Sequence, residues 1–198
     1  VKEREILFSS EMVRAILDER KTMTRRVVKY HGEQPRTVAD KSIVPYSGTG
    51  EQLKRAMEMN GYRCPYGVPG DRLWVRETYR FRYADAGPGS KEDSVQYRAD
   101  RGCLVEPCWH PSIFMPRWAS RITLEVTGVR VERVQDITRT DIRAEGVTIP
   151  AHMSNEDSYK AAYLKAWRDL WDSINAKRGY GWDVNPWVWV VEFRRLQP

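Results

Sequence analysis

The chain has little with which to crosslink itself or to hold a metal. Its 198 residues include three cysteines (Cys64, Cys103, Cys108) and three histidines. An odd cysteine count at these spacings argues against a disulfide framework. The C-x4-C-x-H run from Cys103 to His110 lacks the paired C-x2-C hooks of zinc sites. His31 and His152 fall in polar loops and suggest no ligand set. No stretch approaches the length of a membrane span, and the opening VKEREILF carries no apolar leader. The expectation is a reduced, cytoplasmic protein with no membrane partner. No Ser-His-Asp set is legible either. GYGWDVNP is not a phosphate-cradling loop, because no helix with Lys-Ser/Thr follows it.

What is present is a core and an excess of cations. Hydrophobic residues make up 41%, enough to bury a real interior, and the length suits one domain with long loops. Thirty-three Lys and Arg oppose 27 Asp and Glu, a net charge of +6. Arginine supplies most of it, which suits planar, bidentate contacts to phosphates or base edges. Eight tryptophans and ten tyrosines lie among these cations. Such a mixture fits base stacking, although most large aromatics simply fill cores.

The pattern of elements is uneven. A short strand at Ile6–Phe8 precedes a helix capped by Ser9 or Ser10, with Met12, Val13, Ile16 and Leu17 as its apolar stripe and an end near Asp18. Residues from about 29 to 63 read as a long polar excursion with one helix in EQLKRAMEMN, and ADAGPGSKED reads as a second loop. Arg72 to Arg82 alternates as one strand after a turn at Gly70-Asp71. SRITLEVTGVRVERV is another strand, whose phase breaks at Gly128 and predicts a bulge. Thr138 caps a short helix closed by Gly146, and Ser154 with Asp157 starts a longer one whose stripe includes Trp167, Leu170 and Trp171. WVWVVEF is apolar on both faces, hence central or barrel-lining. Strands bent by bulges with helices outside suggest a small barrel of the α+β class.

Two places carry chemistry. ERKTMTRR crowds Arg20, Lys21, Arg25 and Arg26 around Thr22 and Thr24, where like charges repel. Lys21 and Thr24, three apart, share one side of a tight turn or first helical turn. A threonine hydroxyl becomes a nucleophile when a neighbouring base takes its proton. Lysine can be that base if its pKa falls, and the flanking arginines push it down. Glu77 falls on the apolar face of its strand. There it is either a structural partner of a buried arginine or a carboxylate at the floor of a pocket, and the two readings merge if its partner is Lys21.

RKTMTRR resembles the GxKxxTxR signature of ASCH domains, small barrels of the PUA-like superfamily. Lys21, Thr24 and Arg26 match it, while Glu19 stands where that family usually has glycine. GVPGDRLWVRETY, MPRWASRITLEVTGVRVERVQDI and RGYGWDVNPWVWVVEFRRL are similar to the version carried by tailed phages and prophages. The resemblance spans one domain over 1–198, with insertions near 30–62 and 83–108. It implies an α+β fold, a PUA-like mixed β-barrel of five or six strands with helices packed outside.

One ASCH branch is similar to amidohydrolases that deacetylate N4-acetylcytidine with a Lys, a Thr and a Glu. Carried over, the resemblance implies catalytic roles for Lys21, Thr24 and Glu77, with Arg25 or Arg26 stabilising the oxyanion. No metal or other cofactor is needed. The partner is then a modified nucleoside or RNA. The alternative is a non-catalytic RNA- or DNA-binding module, in which Arg26, Arg117, Arg121 and Trp118 hold phosphates and a stacked base. A ribonuclease and a phage–host interaction protein stand behind these two.

Overall fold

Ser9 accepts the backbone N–H of Met12, supplying a partner to one of the donors that a helix start leaves unpaired. The computed structural model describes residues 1–29, 36–39, 42–45, 47–81, 95–100, 108–149 and 156–197. Strand β1 (Glu3–Leu7) leads into helix α1 (Ser10–Leu17), which buries Val13, Ala15 and Ile16, and then into β2 (Met23–Val27). A hairpin of β3 (Arg36–Ala39) and β4 (Ser42–Pro45) follows. Helix α2 (Gly50–Met59) starts on a capping box of Thr49 and Gln52 and buries Leu53 and Met57, within the segment read as a polar excursion.

Next come β5 (Arg72–Arg76), β6 (Tyr79–Phe81), β7 (Val95–Tyr97) and β8 (Thr123–Arg133). Helix α3 (Arg139–Ala144) is boxed by Thr138 and Asp141, α4 spans Glu156–Asn175, and β9 (Trp187–Leu196) ends the fold. Ser154, the expected start signal of α4, lies outside the described residues.

The main sheet runs β1-β5-β8-β9-β2, with β1 and β5 parallel and the other pairs antiparallel. Strand β9 is buried on both faces for a simple reason. Trp187, Trp189, Val191 and Phe193 pack towards residues of α1 and α2, whereas Val188 and Val190 meet Ile142 of α3 and Trp167 and Trp171 of α4. Helical residues therefore cover both sides, and a continuous apolar run is what such a position demands. The register of β8 on β9 slips between Val126 and Gly128, at the predicted bulge.

One expectation changes. The run from Arg72 is not one strand: β5 belongs to the main sheet, while β6 pairs with β7 in a separate two-stranded sheet, and the break falls at Glu77-Thr78. Arg82 lies outside the described residues. The architecture is mixed α+β, with helices outside the sheets, and among the described residues β1 and β2 stand at the two ends of the main sheet with no ladder between them. A side chain does reach across: the Arg26 guanidinium on β2 donates to the Leu7 carbonyl on β1 at 2.6 Å.

Candidate functional site

The segment between α1 and β2 is pinned at both ends. Glu19 takes φ +57°, the left-handed region, which turns the chain back so that the Arg20 and Lys21 N–H groups both donate to Ala15 O at 2.8 and 3.0 Å. The Thr22 N–H then donates to Ala144 O at the end of α3, and Lys21 forms an isolated bridge with Glu145. Lys21 and Thr24 consequently do not share a helical turn. Lys21 precedes β2, Thr24 lies within it, and packing against α3 decides the geometry.

The crowded cations each have a partner. Arg20 meets Asp18 at the surface at 3.0 Å. Lys21 Nζ donates to Glu145 Oε2 at 2.7 Å and to the Glu145 carbonyl at 2.9 Å, with no side-chain exposure. Arg25, equally buried, is held by Glu132, by Asp141 at 2.8 Å and by Glu145 Oε1 at 3.3 Å, with its plane near the Trp167 ring. Glu145 thus serves two cations at once. Burial pushes the Lys21 ammonium below the usual lysine range; Glu145 opposes this, and Arg26 and Arg25 add to it. Arg26 lies between Phe8 and Tyr66, 5.4 and 6.0 Å from the ring centroids.

A cavity of about 300 Å³ runs along the edge strand β2. Thr24, Arg25, Arg26 and Glu145 line it together with Tyr62, Tyr66, Trp167, Trp171, Tyr180 and Trp189. Among its lining residues, the indole N–H groups of Trp167 and Trp189 and the Nε–H of Arg26 are sealed from solvent without a hydrogen-bond partner among the described residues. A buried donor left unpaired costs about 1–3 kcal/mol. These three donors are enclosed in the wall, and what the cavity itself presents is aromatic surface beside a hydroxyl and cations, a lining suited to a planar ligand. A second cavity, about 440 Å³, shares Met12, Glu145 and Leu170 with the first and is lined mainly by α1 and the residues after α3.

The structure brings Thr24, Arg25 and Arg26 to the cavity along β2, with Lys21 held behind it through Glu145. Glu77 is not among the lining residues. Its buried carboxylate accepts Arg121 Nε at 2.9 Å and Arg121 Nη2 at 3.1 Å, and its backbone N–H meets Met115 Sδ. Of the two readings of Glu77, the arginine partner is the one found; the expected partner Lys21 belongs to Glu145. Burial pushes the Glu77 carboxyl above the usual range while the Arg121 fork pulls it back.

The remaining candidates also lie elsewhere. Arg121 is further held by Asp100 at 2.7 Å and lies 3.8 Å over the Tyr97 ring. Arg117 clasps Glu3 through two nitrogens at 2.9 and 2.7 Å. Trp118 is half exposed and stacked on Phe81.

Sequence reasoning missed Glu145, Trp167 and Trp189 as site residues. Glu145 carried one usable signal: it is an acid at the C-cap of α3, where the helix dipole disfavours negative charge unless cations compensate. The tryptophans read as core, which they also are.

Cys64 is buried, its thiol pushed up to about 11 by burial; Cys108 is exposed, and Cys103, His31 and His152 lie outside the described residues. Among the described residues no group of three metal-binding side chains occurs, and no helix is long and apolar enough to cross a membrane. Compared with family models, curated proteins and solved structures, the chain matches none.

Proposed function

We propose that the cavity beside β2 binds a nucleobase, and that its chemistry is removal of an acyl group from an N4-acylated cytosine nucleoside. The observation that carries this reading is one cavity in which Thr24, Arg25 and Arg26 lie among the aromatic rings of Tyr62, Tyr66, Trp167, Trp171, Tyr180 and Trp189. A pyrimidine supplies flat faces for the rings, and its acyl group comes beside Thr24.

In this scheme Lys21 first passes its ammonium proton to the Glu145 carboxylate, the neutral amine takes the Thr24 proton, and Thr24 Oγ1 attacks the acyl carbon. The negative charge that develops on the acyl oxygen faces Arg26, since Arg25 is already saturated by three carboxylates. The carbon–nitrogen bond breaks, the base nitrogen leaves with the proton that Lys21 returns, and water hydrolyses the threonyl ester. Glu145 takes the place expected of Glu77 as a positioning residue: it orients Lys21 and keeps its proton exchangeable.

Two further features favour an ASCH-like, PUA-like barrel as the parent of this site. Glu19 adopts a left-handed conformation at the position where the resembling signature carries glycine. Arg26, the arginine of that signature, links the two sheet edges that a closed barrel would pair. The nucleic-acid-binding alternative has less support, because Arg117 and Arg121 are held by carboxylates and stand apart from the cavity.

Mass spectrometry of N4-acetylcytidine incubated with wild-type protein, Lys21→Ala and Thr24→Ala tests the scheme. Cytidine and acetate should appear with the wild type alone. Equal release by Thr24→Ala removes the nucleophile, and release by none of the three removes the activity.

A further inference from the structure

We propose that the ligand of this cavity is the 5′-monophosphate of the nucleoside rather than the free nucleoside, an inference that rests on the nucleobase reading above. The cavity is graded from end to end. Trp167 and Trp189, 3% and 1% exposed, form part of its buried aromatic wall. Lys29 and Arg178 line the same cavity but are solvent-exposed, which places them at its mouth.

Charge follows the same grading. Glu145 is the carboxylate that lines this cavity among the described residues, and Lys21 and Arg25 already neutralise it. Neither Lys29 nor Arg178 makes an ion pair among the described residues; Lys29 lies 5.7 Å over the Tyr180 ring instead. The occupant therefore presents a flat ring to the aromatic wall and negative charge to Lys29 and Arg178. A base with a phosphate across its ribose has this order of parts.

The number of cations favours a terminal phosphate over a strand. A phosphomonoester carries close to two negative charges at neutral pH, with a second pKa of about 6. Two cations match it, whereas an internal phosphodiester carries one charge. Arginine adds a planar fork suited to phosphate oxygens.

Binding tests this without requiring turnover. Tryptophan fluorescence, which Trp167 and Trp189 report from the cavity wall, gives Kd for cytidine, cytidine 5′-monophosphate and an oligoribonucleotide with one internal cytidine. The monophosphate should bind about tenfold tighter than cytidine, one charge-assisted contact's worth. That ratio should shrink below pH ~6 as the phosphate takes up its second proton. In Arg178→Gln and in Lys29→Gln the ratio should fall towards one. Equal affinity for cytidine and its monophosphate in the wild type overturns the phosphate inference and leaves the nucleobase reading standing. Tighter binding of the oligonucleotide overturns it in favour of RNA. Binding of none of the three overturns the nucleobase reading, and the inference falls with it.

Discussion

Lys21 Nζ lies 2.7 Å from Glu145 Oε2, and the two side chains are 0% and 2% exposed. A buried pair of this kind contributes little net stability, yet removing one partner leaves an uncompensated charge and costs about 3–5 kcal/mol. Glu145→Gln should therefore destabilise the fold by about 3 kcal/mol at neutral pH. The deficit should shrink as pH rises, since Lys21 then sheds its proton. The sign is fixed by the direction of the shift. Lys21 holds its proton less tightly folded than unfolded, so stability grows as pH climbs from the folded pKa towards the ordinary lysine value. If Lys21 is the base, the acid limb of the turnover profile should also move to lower pH in this variant, because the carboxylate no longer favours the ammonium. Thermal melts and pH–rate profiles on one preparation check both; an unmoved limb would separate Glu145 from Lys21's chemistry.

The pair of Glu77 and Arg121 is lopsided, and so are its expected variants. Arg121 keeps 27% of its side chain exposed and a second partner in Asp100, while Glu77 has 2% exposed. Glu77→Gln should cost about 1 kcal/mol or less, because Arg121 retains a carboxylate and some water. Arg121→Met leaves the buried Glu77 carboxylate alone and should cost about 3 kcal/mol. That loss should ease as pH falls, since the raised Glu77 carboxyl takes up its proton before an unfolded glutamate does. Chemical denaturation at two pH values decides it. Equal costs would show that the exposed side of Arg121 carries no compensation.

Glu19 holds φ +57° on the surface, a conformation costing a non-glycine residue about 1 kcal/mol. Glu19→Gly removes that strain and adds unfolded-state entropy, so the net gain should be a few tenths to about 1 kcal/mol. A melting temperature that rises modestly, with ligand affinity intact, is the expected result. A clear fall would mean that the glutamate side chain makes a contribution the backbone does not reveal.

Local chemistry was legible in the sequence wherever one short stretch decides the structure. Ser9 and Thr138 cap the helices they precede, Gly128 marks the bulge, and the unbroken apolar run of β9 announces a strand covered on both faces. The burial of Glu77 was legible too, because alternation from Leu73 puts it on the inner face. Its partner was not: Arg121 is 44 positions away, and nothing local distinguishes it from the other cations. The turn reading of Lys21 and Thr24 failed for the same reason. The chain there is shaped by Ala144 and Glu145, more than 120 residues on, and periodicity carries no information about such a neighbour. The cavity depends on tryptophans from α4 and β9 meeting across an edge strand, a fact of tertiary packing alone.

Trp167 and Trp189 separate a binding cavity from a merely imperfect core. Phenylalanine keeps a ring at either position but deletes the unpaired indole N–H and some volume. Losing packed atoms costs about 1–3 kcal/mol, and removing a buried orphan donor returns about 1–3 kcal/mol, so the net change in stability should be small. Ligand affinity behaves differently if ligand entry opens the wall and lets each enclosed donor meet an acceptor. Trp167→Phe and Trp189→Phe should each weaken binding of cytidine 5′-monophosphate by about tenfold, while melting within a few degrees of the wild type. The double variant should approach the product of the single losses if the two donors meet different acceptors, and fall short of it if they share one. Isothermal titration beside calorimetric melts provides both quantities. Variants that melt as expected and bind as tightly as the wild type would show that the indole donors face no ligand, and the nucleobase assignment of the cavity would fall with them.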